Sequence, residues 1–507
     1  MMQRREFLGY VGRTAIAGGA ALAAGRHAWP LPGASAGAER RASVTDFGAD
    51  STGQKDSTAA VQKAIASLAR RNARLVFPAG KYTFAASNAV LMDFNGYEGL
   101  EIFGNGAELS FAGATQPIRL TSCKDLEVHD IIVDWTQPSC SQATIGTAAL
   151  LLNGCEQILL ETVVFHAAPG TAARLRGCRD ITLDTVRVVP HPGSGHVVSS
   201  CGGGVEILDC TGTVSAQHGL FGGTAGAGMR VQQSYWRVSR VADQQAAELA
   251  SADDKPVPEW LLPAPGTYMQ ISEAASLKLL GEIAITKAEP VPGGMRLSLA
   301  ETLSPAVGKG TLFCLSATNQ AQLKMDDCKF SGGQTVGLVA QSRVRIANSS
   351  FRGYGGPAIL LAPDLEQMRG PVVENIHIND CTFAECNLAP GDERGAITID
   401  TAPHRTDAAA VGRVNEGITL QRNVFSRLDG PAIYCSGATW LDVESNRFDD
   451  CDRRRPAGEQ PRAIVLHNLD ESTVASNEAN APGKIVMIDC TAKVRVGDNG
   501  PLTNATV

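Results

Sequence analysis

The chain has 507 residues, of which 19% are charged and 44% apolar, against roughly 25% charged in an average globular domain. That apolar content excludes a disordered chain, which lacks the burial to offset its ordering entropy. A formal net charge of −7 excludes a basic face for nucleic acid. The length fits two or three compact domains or one extended repeat domain.

Residues 1–36 read as a twin-arginine signal peptide. Arg4-Arg5 precedes a short apolar stretch, Thr14 to Ala24, and then Ala34-Ser35-Ala36. The expectation is a monomer exported to the periplasm or the extracellular space. No later segment holds about 20 consecutive apolar residues, so no membrane span is expected. Thirteen cysteines, an odd number without a CxxC pair, favour buried free thiols over a disulfide framework.

Asp56-Ser57 opens an amphipathic helix, Ala59 to Leu68, expected to cap the open end of a repeat domain. After a strand and turn at 75–80, self-similarity takes over. Cys123, Cys155, Cys178 and Cys201 each begin a similar phrase, CKDLEVHDIIV, CEQILLETVVF, CRDITLDTVRV and CGGGVEILDCT. Downstream the phrase becomes LKMDDCKF, VRIANSSF, IHINDCTF, ITLQRNVF and LDVESNRF. There Cys328, Ser349, Cys381, Asn423 and Asn446 each stand two residues before a Phe. Apolar residues alternate within each phrase, which marks short strands with one buried face. Short strands recurring once per coil, with a ladder of small polar residues, predict an all-β chain folded as a parallel β-helix. Residues 235–320 lose the repeat and read as a small inserted β-rich subdomain. It divides an N-terminal half, 43–234, from a C-terminal half, 321–507.

VTDFGADSTGQKDSTAAVQKAI with LVFPAGKYTF resembles the N-terminal signature of the pectate-lyase-like superfamily of right-handed β-helix proteins. VDWTQPSCSQATI, AAPGTAARLRGCRDITLDTVRVVPHPG and GGPAILLAPDLEQMRGPVVENIHINDCTF resemble bacterial α-1,3-galactosidases. The resemblance implies an exo-acting, inverting glycoside hydrolase. The family's catalytic Asp-Asp pair is not matched: Gln217 and His218 stand in its place, in VSAQHGLFGG. Asp364 is retained, whereas Gln367-Met368-Arg369 replaces the phrase after it.

Glycoside hydrolysis needs two carboxyl groups facing one groove. Asp364 and Asp400 end the apolar phrases AILLAPD and AITID, with Glu366, Asp392 and Glu393 nearby. They are the candidate catalytic acids, with His218 assisting; a set of solvated turn acids is the competing reading. Asp134 with Trp135 suggests an outward sugar-stacking platform, and Gln142, His196 and Gln217 join it as candidate substrate contacts. His196 and His218 are expected at one angular position, in coils about 22 residues apart. No metal and no cofactor is called for, and the expected partner is a polysaccharide or oligosaccharide. A polysaccharide lyase with a Lys or Arg base, or a glycan-binding protein without catalysis, are the alternatives.

Overall fold

The computed structural model describes residues 40–85, 90–113, 116–136, 140–141, 144, 146–251, 254–389, 394–401 and 412–506. The expected signal peptide therefore lies outside the described residues. Among those described, no helix is long and apolar enough to cross a membrane.

Each coil of the solenoid contributes up to three strands, and each stacks in parallel on its equivalent in the next coil. The first ladder includes Arg179–Asp184, Thr211–Gln217, Gln322–Asp326 and Asn415–Gln421. The second includes Leu220–Gly222, Lys329–Ser331 and Thr382–Ala384. The third includes Thr171–Arg176, Val205–Leu208, Met229–Ser234, Ile359–Leu361 and Ile433–Ser436. The helix Thr58–Ser67 covers the N-terminal end, burying Val61, Ala64 and Ile65. Asp56 precedes its N-cap Ser57 and accepts from the Thr58 amide at 3.1 Å.

The repeat phrases explain the bend between the first two ladders. From the coil of Arg179–Asp184 on, two residues make it. The first takes a left-handed conformation, as at Asp327 (φ 45°), Asn348 (φ 49°) and Asp380 (φ 56°), which Asn and Asp tolerate better than most residues. The second points inward and bonds the next coil. Asn446 Nδ2 donates to Asn477 Oδ1 at 3.0 Å, and Asn477 Nδ2 to Asn499 Oδ1 at 2.8 Å. The phenylalanines of the repeat stack in register, with ring centroids 4.6 Å apart for Phe330–Phe351 and 4.9 Å for Phe383–Phe425. Each is fully buried, worth about 1.5–3 kcal/mol of transfer free energy.

The cysteine reading needs one correction. The fourth member of the N-terminal ladder is Cys210, whose Sγ accepts from the Cys178 amide at 3.3 Å. Cys201 instead forms a disulfide with Cys140. The phrase CGGGVEILDC holds two cysteines, and register selects the second, because Thr211 pairs with Arg179. The other eleven cysteines are free. Burial pushes the Cys381 and Cys386 thiols up to about 12, which makes them inert packing groups.

The insertion is a closed antiparallel barrel of six strands, from Trp236–Asp243 to Leu312–Leu315. It encloses its own core around Val238, Ile271, Leu297 and Phe313.

Candidate functional site

Long connections occur at the two corners that border the third ladder. At its entry lie residues 189–204 and 450–461; at its exit lie the barrel and 362–373. From the strand Arg179–Asp184 to the strand Thr473–Ala475, the bend between the first and second ladders keeps its two residues. The outer face of the third ladder is therefore the one flanked by segments able to wall a groove.

The floor of that face is charged. Alternation along the strands turns Arg174, Glu206 and Arg230 outward, and they stand side by side in register. Glu206 accepts from Arg174 Nε at 2.7 Å. Arg230 donates to Gln232 Oε1 at 2.7 Å and has no carboxylate within ion-pair distance among the described residues. Burial lowers its pKa from the usual guanidinium value, with Glu206 and Asp364 opposing that shift. Gln232 is 2% exposed, and its Nε2 has no partner among the described residues. The groove thus holds unspent hydrogen-bond donors next to a guanidinium, a costly arrangement without a ligand.

Asp364 reaches this floor through a short hairpin. Its backbone exchanges hydrogen bonds with Arg369 at 2.7 and 2.8 Å, and residues 369–370 pair antiparallel with Gln233–Ser234. Arg369 clamps the hairpin, donating to Ser234 Oγ at 2.9 Å and lying 3.8 Å from buried Asp209. One Asp364 oxygen accepts from the Gln367 amide at 2.9 Å. Glu366 is at the exposed tip. Asp400 ends the neighbouring strand, its amide donating to the Leu361 carbonyl at 3.0 Å. Tyr434 lies beside it, its phenol pKa raised by burial and then by the Asp400 charge. Asp364 and Asp400 thus share the exit side of the ladder, but the hairpin carries Asp364 back toward Arg230.

The remaining expected site residues lie elsewhere. His218 and Gln217 are exposed at the first bend, far around the coil from Asp364. His218 Nδ1 is 3.0 Å from Asp184 Oδ1, and that hydrogen bond raises its pKa. His196 is in the 189–204 connection, so the two histidines occupy different corners, contrary to the expected common position. Trp135 is 3% exposed and packs 5.3 Å from Phe111. It is no outward platform, because Ile131, Val133 and Trp135 alternate inward together. Asp134 is also buried, held by His191 Nδ1 at 2.8 Å. Gln142, Asp392 and Glu393 lie outside the described residues.

Sequence reading missed Arg174, Glu206, Arg230 and Arg369. A charged residue at the outward position of a strand phrase, as in ARLR, VEIL and MRVQ, was the available signal. Among the described residues, no group of three or more His, Cys, Asp or Glu side chains is placed to hold a metal ion.

Comparisons with known proteins match two family models. One, rhamnogalacturonase A/epimerase, pectate lyase-like, covers residues 42–252, and the other, right-handed β-helix region, covers 313–499. Alpha-1,3-galactosidase B of Bacteroides thetaiotaomicron is 31% identical over 121 residues, spanning 20% of this chain and 20% of that protein. An exopolygalacturonase from Thermotoga maritima aligns over 86% of this chain and 91% of its own, at 9% identity and a TM-score of 0.48. The Streptococcus pneumoniae surface protein and adhesin PfbA aligns over 92% and 98%, at 11% identity and a TM-score of 0.48. The chain is a right-handed parallel β-helix whose two halves match pectate-lyase-like and β-helix family models, with weak homology to α-1,3-galactosidase-like proteins.

Proposed function

We propose that the protein is an exported glycoside hydrolase that binds a glycan along the outer face of the third ladder. The observation that carries this reading is the placement of Glu206 and Asp364 about the half-buried Arg230, which has no ion-pair partner among the described residues. Hydrolysis takes one carboxylic acid to protonate the leaving oxygen and one carboxylate as base or nucleophile. Asp364, with a single backbone donor on one oxygen, is assigned the acid. Glu206, paired with Arg174, is assigned the second role. Arg230 and Gln232 Nε2 orient the sugar, Asp400 and Tyr434 extend the groove by two coils, and Arg369 is a positioning residue. Relatedness to proteins named as a galactosidase and a rhamnogalacturonase supports a glycosidic substrate.

Purified protein should release reducing ends from at least one member of a panel of α- and β-linked aryl glycosides and polysaccharides, and Asp364→Asn should abolish that release. No release from any member would overturn the assignment.

Arg230 also favours a second reading, a polysaccharide lyase. It faces the groove without a carboxylate within ion-pair distance among the described residues, as the basic residue of a β-elimination would. Arg343 and Arg352 do not qualify: Arg343 donates to three carbonyls and Arg352 pairs with Glu385. A lyase would yield an ultraviolet-absorbing unsaturated product at a rate rising into alkaline pH, and Asp364→Asn would leave it largely unchanged.

A further inference from the structure

Beneath the barrel lies a cleft of about 710 Å³ that the groove chemistry does not use. It is within the range of about 300–1,000 Å³ typical of ligand pockets. One side is the corner from the third to the first ladder, at Gly154, Gly177 and Thr213; the other is the barrel, with Trp236 and Trp260.

Three observations concern what it would hold. The first is that Trp260 is fixed there by the solenoid. A Cβ on Gly154 would lie 2.4 Å from Trp260 Cβ, and one on Gly177 would lie 3.0 Å from the indole ring. Positive φ does not by itself demand glycine at this corner, since Ser122 (φ 51°) and Asp209 (φ 56°) occupy it in neighbouring coils. Close approach of the indole does.

The second is an unsatisfied acceptor. Gln233 lines the cleft and is 5% exposed, and its Oε1 has no partner among the described residues. Its Nε2 donates to the Cys210 carbonyl at 2.8 Å, which fixes the amide and leaves Oε1 waiting for a donor such as a hydroxyl.

The third is that the charges lining the cleft are already engaged. Lys124 is 3.3 Å from Glu156, and Arg179 is 3.5 Å from Asp180. Asp209 is held by Arg176 and Ser234, and Arg343 by three carbonyls. Among the described residues of the lining, no charge remains to recruit an ion. Indole faces, neutral hydrogen-bonding groups and an acceptor seeking a hydroxyl are the features that recognise uncharged sugar rings.

We propose that this cleft is a second saccharide-binding site, taking a neutral oligosaccharide separately from the groove. The choice of a sugar rests on the reading that the protein handles glycans; the site itself does not depend on the groove's acids.

The test is fluorine NMR of 5-fluorotryptophan-labelled protein, which carries five tryptophans. The Trp260 resonance is assigned by its loss in Trp260→Phe, and exposed Trp440 serves as the control. Titration with cellohexaose, maltohexaose, xylohexaose and mannohexaose should shift Trp260 saturably for at least one sugar, with Trp440 unmoved. Thr213→Tyr, which fills the cleft, should remove that shift while keeping the Trp440 resonance of a folded chain; Asp364→Asn should leave it intact. No shift with any of the four, or a shift unchanged in Thr213→Tyr, would overturn the site. Release of reducing ends is read separately. A Trp260 shift without any release overturns the groove assignment alone, and release without the shift overturns the cleft alone.

Discussion

The first bend and the outer face of the third ladder run the length of the same solenoid and have opposite constructions. At the bend, each coil from Cys328 to Asn446 repeats the last, with a two-residue turn, an inward Asn, Ser or Cys, and a stacked Phe behind it. The buried amides of its Asn ladder bond their neighbours. On the third ladder, the repeat is broken by insertions at both corners, and Arg230 and Gln232 are left partly unsatisfied. Regularity satisfies polar groups internally and gives stability; interruption leaves polar groups for a ligand.

The largest effect is expected at the bend. Phe383→Ala opens a void between Phe351 and Phe425 and should cost about 3–5 kcal/mol in urea unfolding. Asn446→Ala removes one rung and takes the acceptor from the Asn423 backbone amide and the donor from the Leu420 carbonyl, for about 1–3 kcal/mol. A much smaller loss for either would mean that the ladders do not carry the fold.

On the third ladder the effect on stability should be small. Arg230→Met removes a half-buried charge without an ion-pair partner among the described residues, so stability should stay within about 1 kcal/mol of the parent. Glycan binding should fall at least tenfold by calorimetry on the cleaved substrate. Destabilisation as large as that of Phe383→Ala would make Arg230 structural.

The smallest effect concerns pH. Burial opposes the charged form of His129, but hydrogen bonds to Glu127 and Glu161 outweigh it and raise its pKa. The resulting stability is complete below the unfolded histidine value, about 6.5, and is lost as pH rises through the raised value. His129→Gln should therefore flatten the decline of Tm with pH above that point. An unchanged slope would show that this cluster does not contribute.

The fold was legible because it depends on periodicity. Polar–Phe endings and alternating strands place every ladder without knowledge of the third dimension. Trp135 was legible too, since its alternation with Ile131 and Val133 marks it as inward; its neighbour Asp134 drew it into the wrong role. Cys201 was misplaced because two cysteines fall in one phrase and only strand register chooses between them. The site was less legible. Asp364 meets Arg230 because a hairpin folds back across an intervening strand to pair with Gln233–Ser234, and no local pattern encodes that return.

The most direct test of the groove as the seat of chemistry compares two single variants on whichever substrate the panel shows to be cleaved. Asp364→Asn should lower the release of reducing ends by about 10²–10⁴-fold, the range for a general acid, whereas His218→Gln at the bend should stay within about twofold. Retained activity in Asp364→Asn together with its loss in His218→Gln would contradict the account and move the chemistry to the bend.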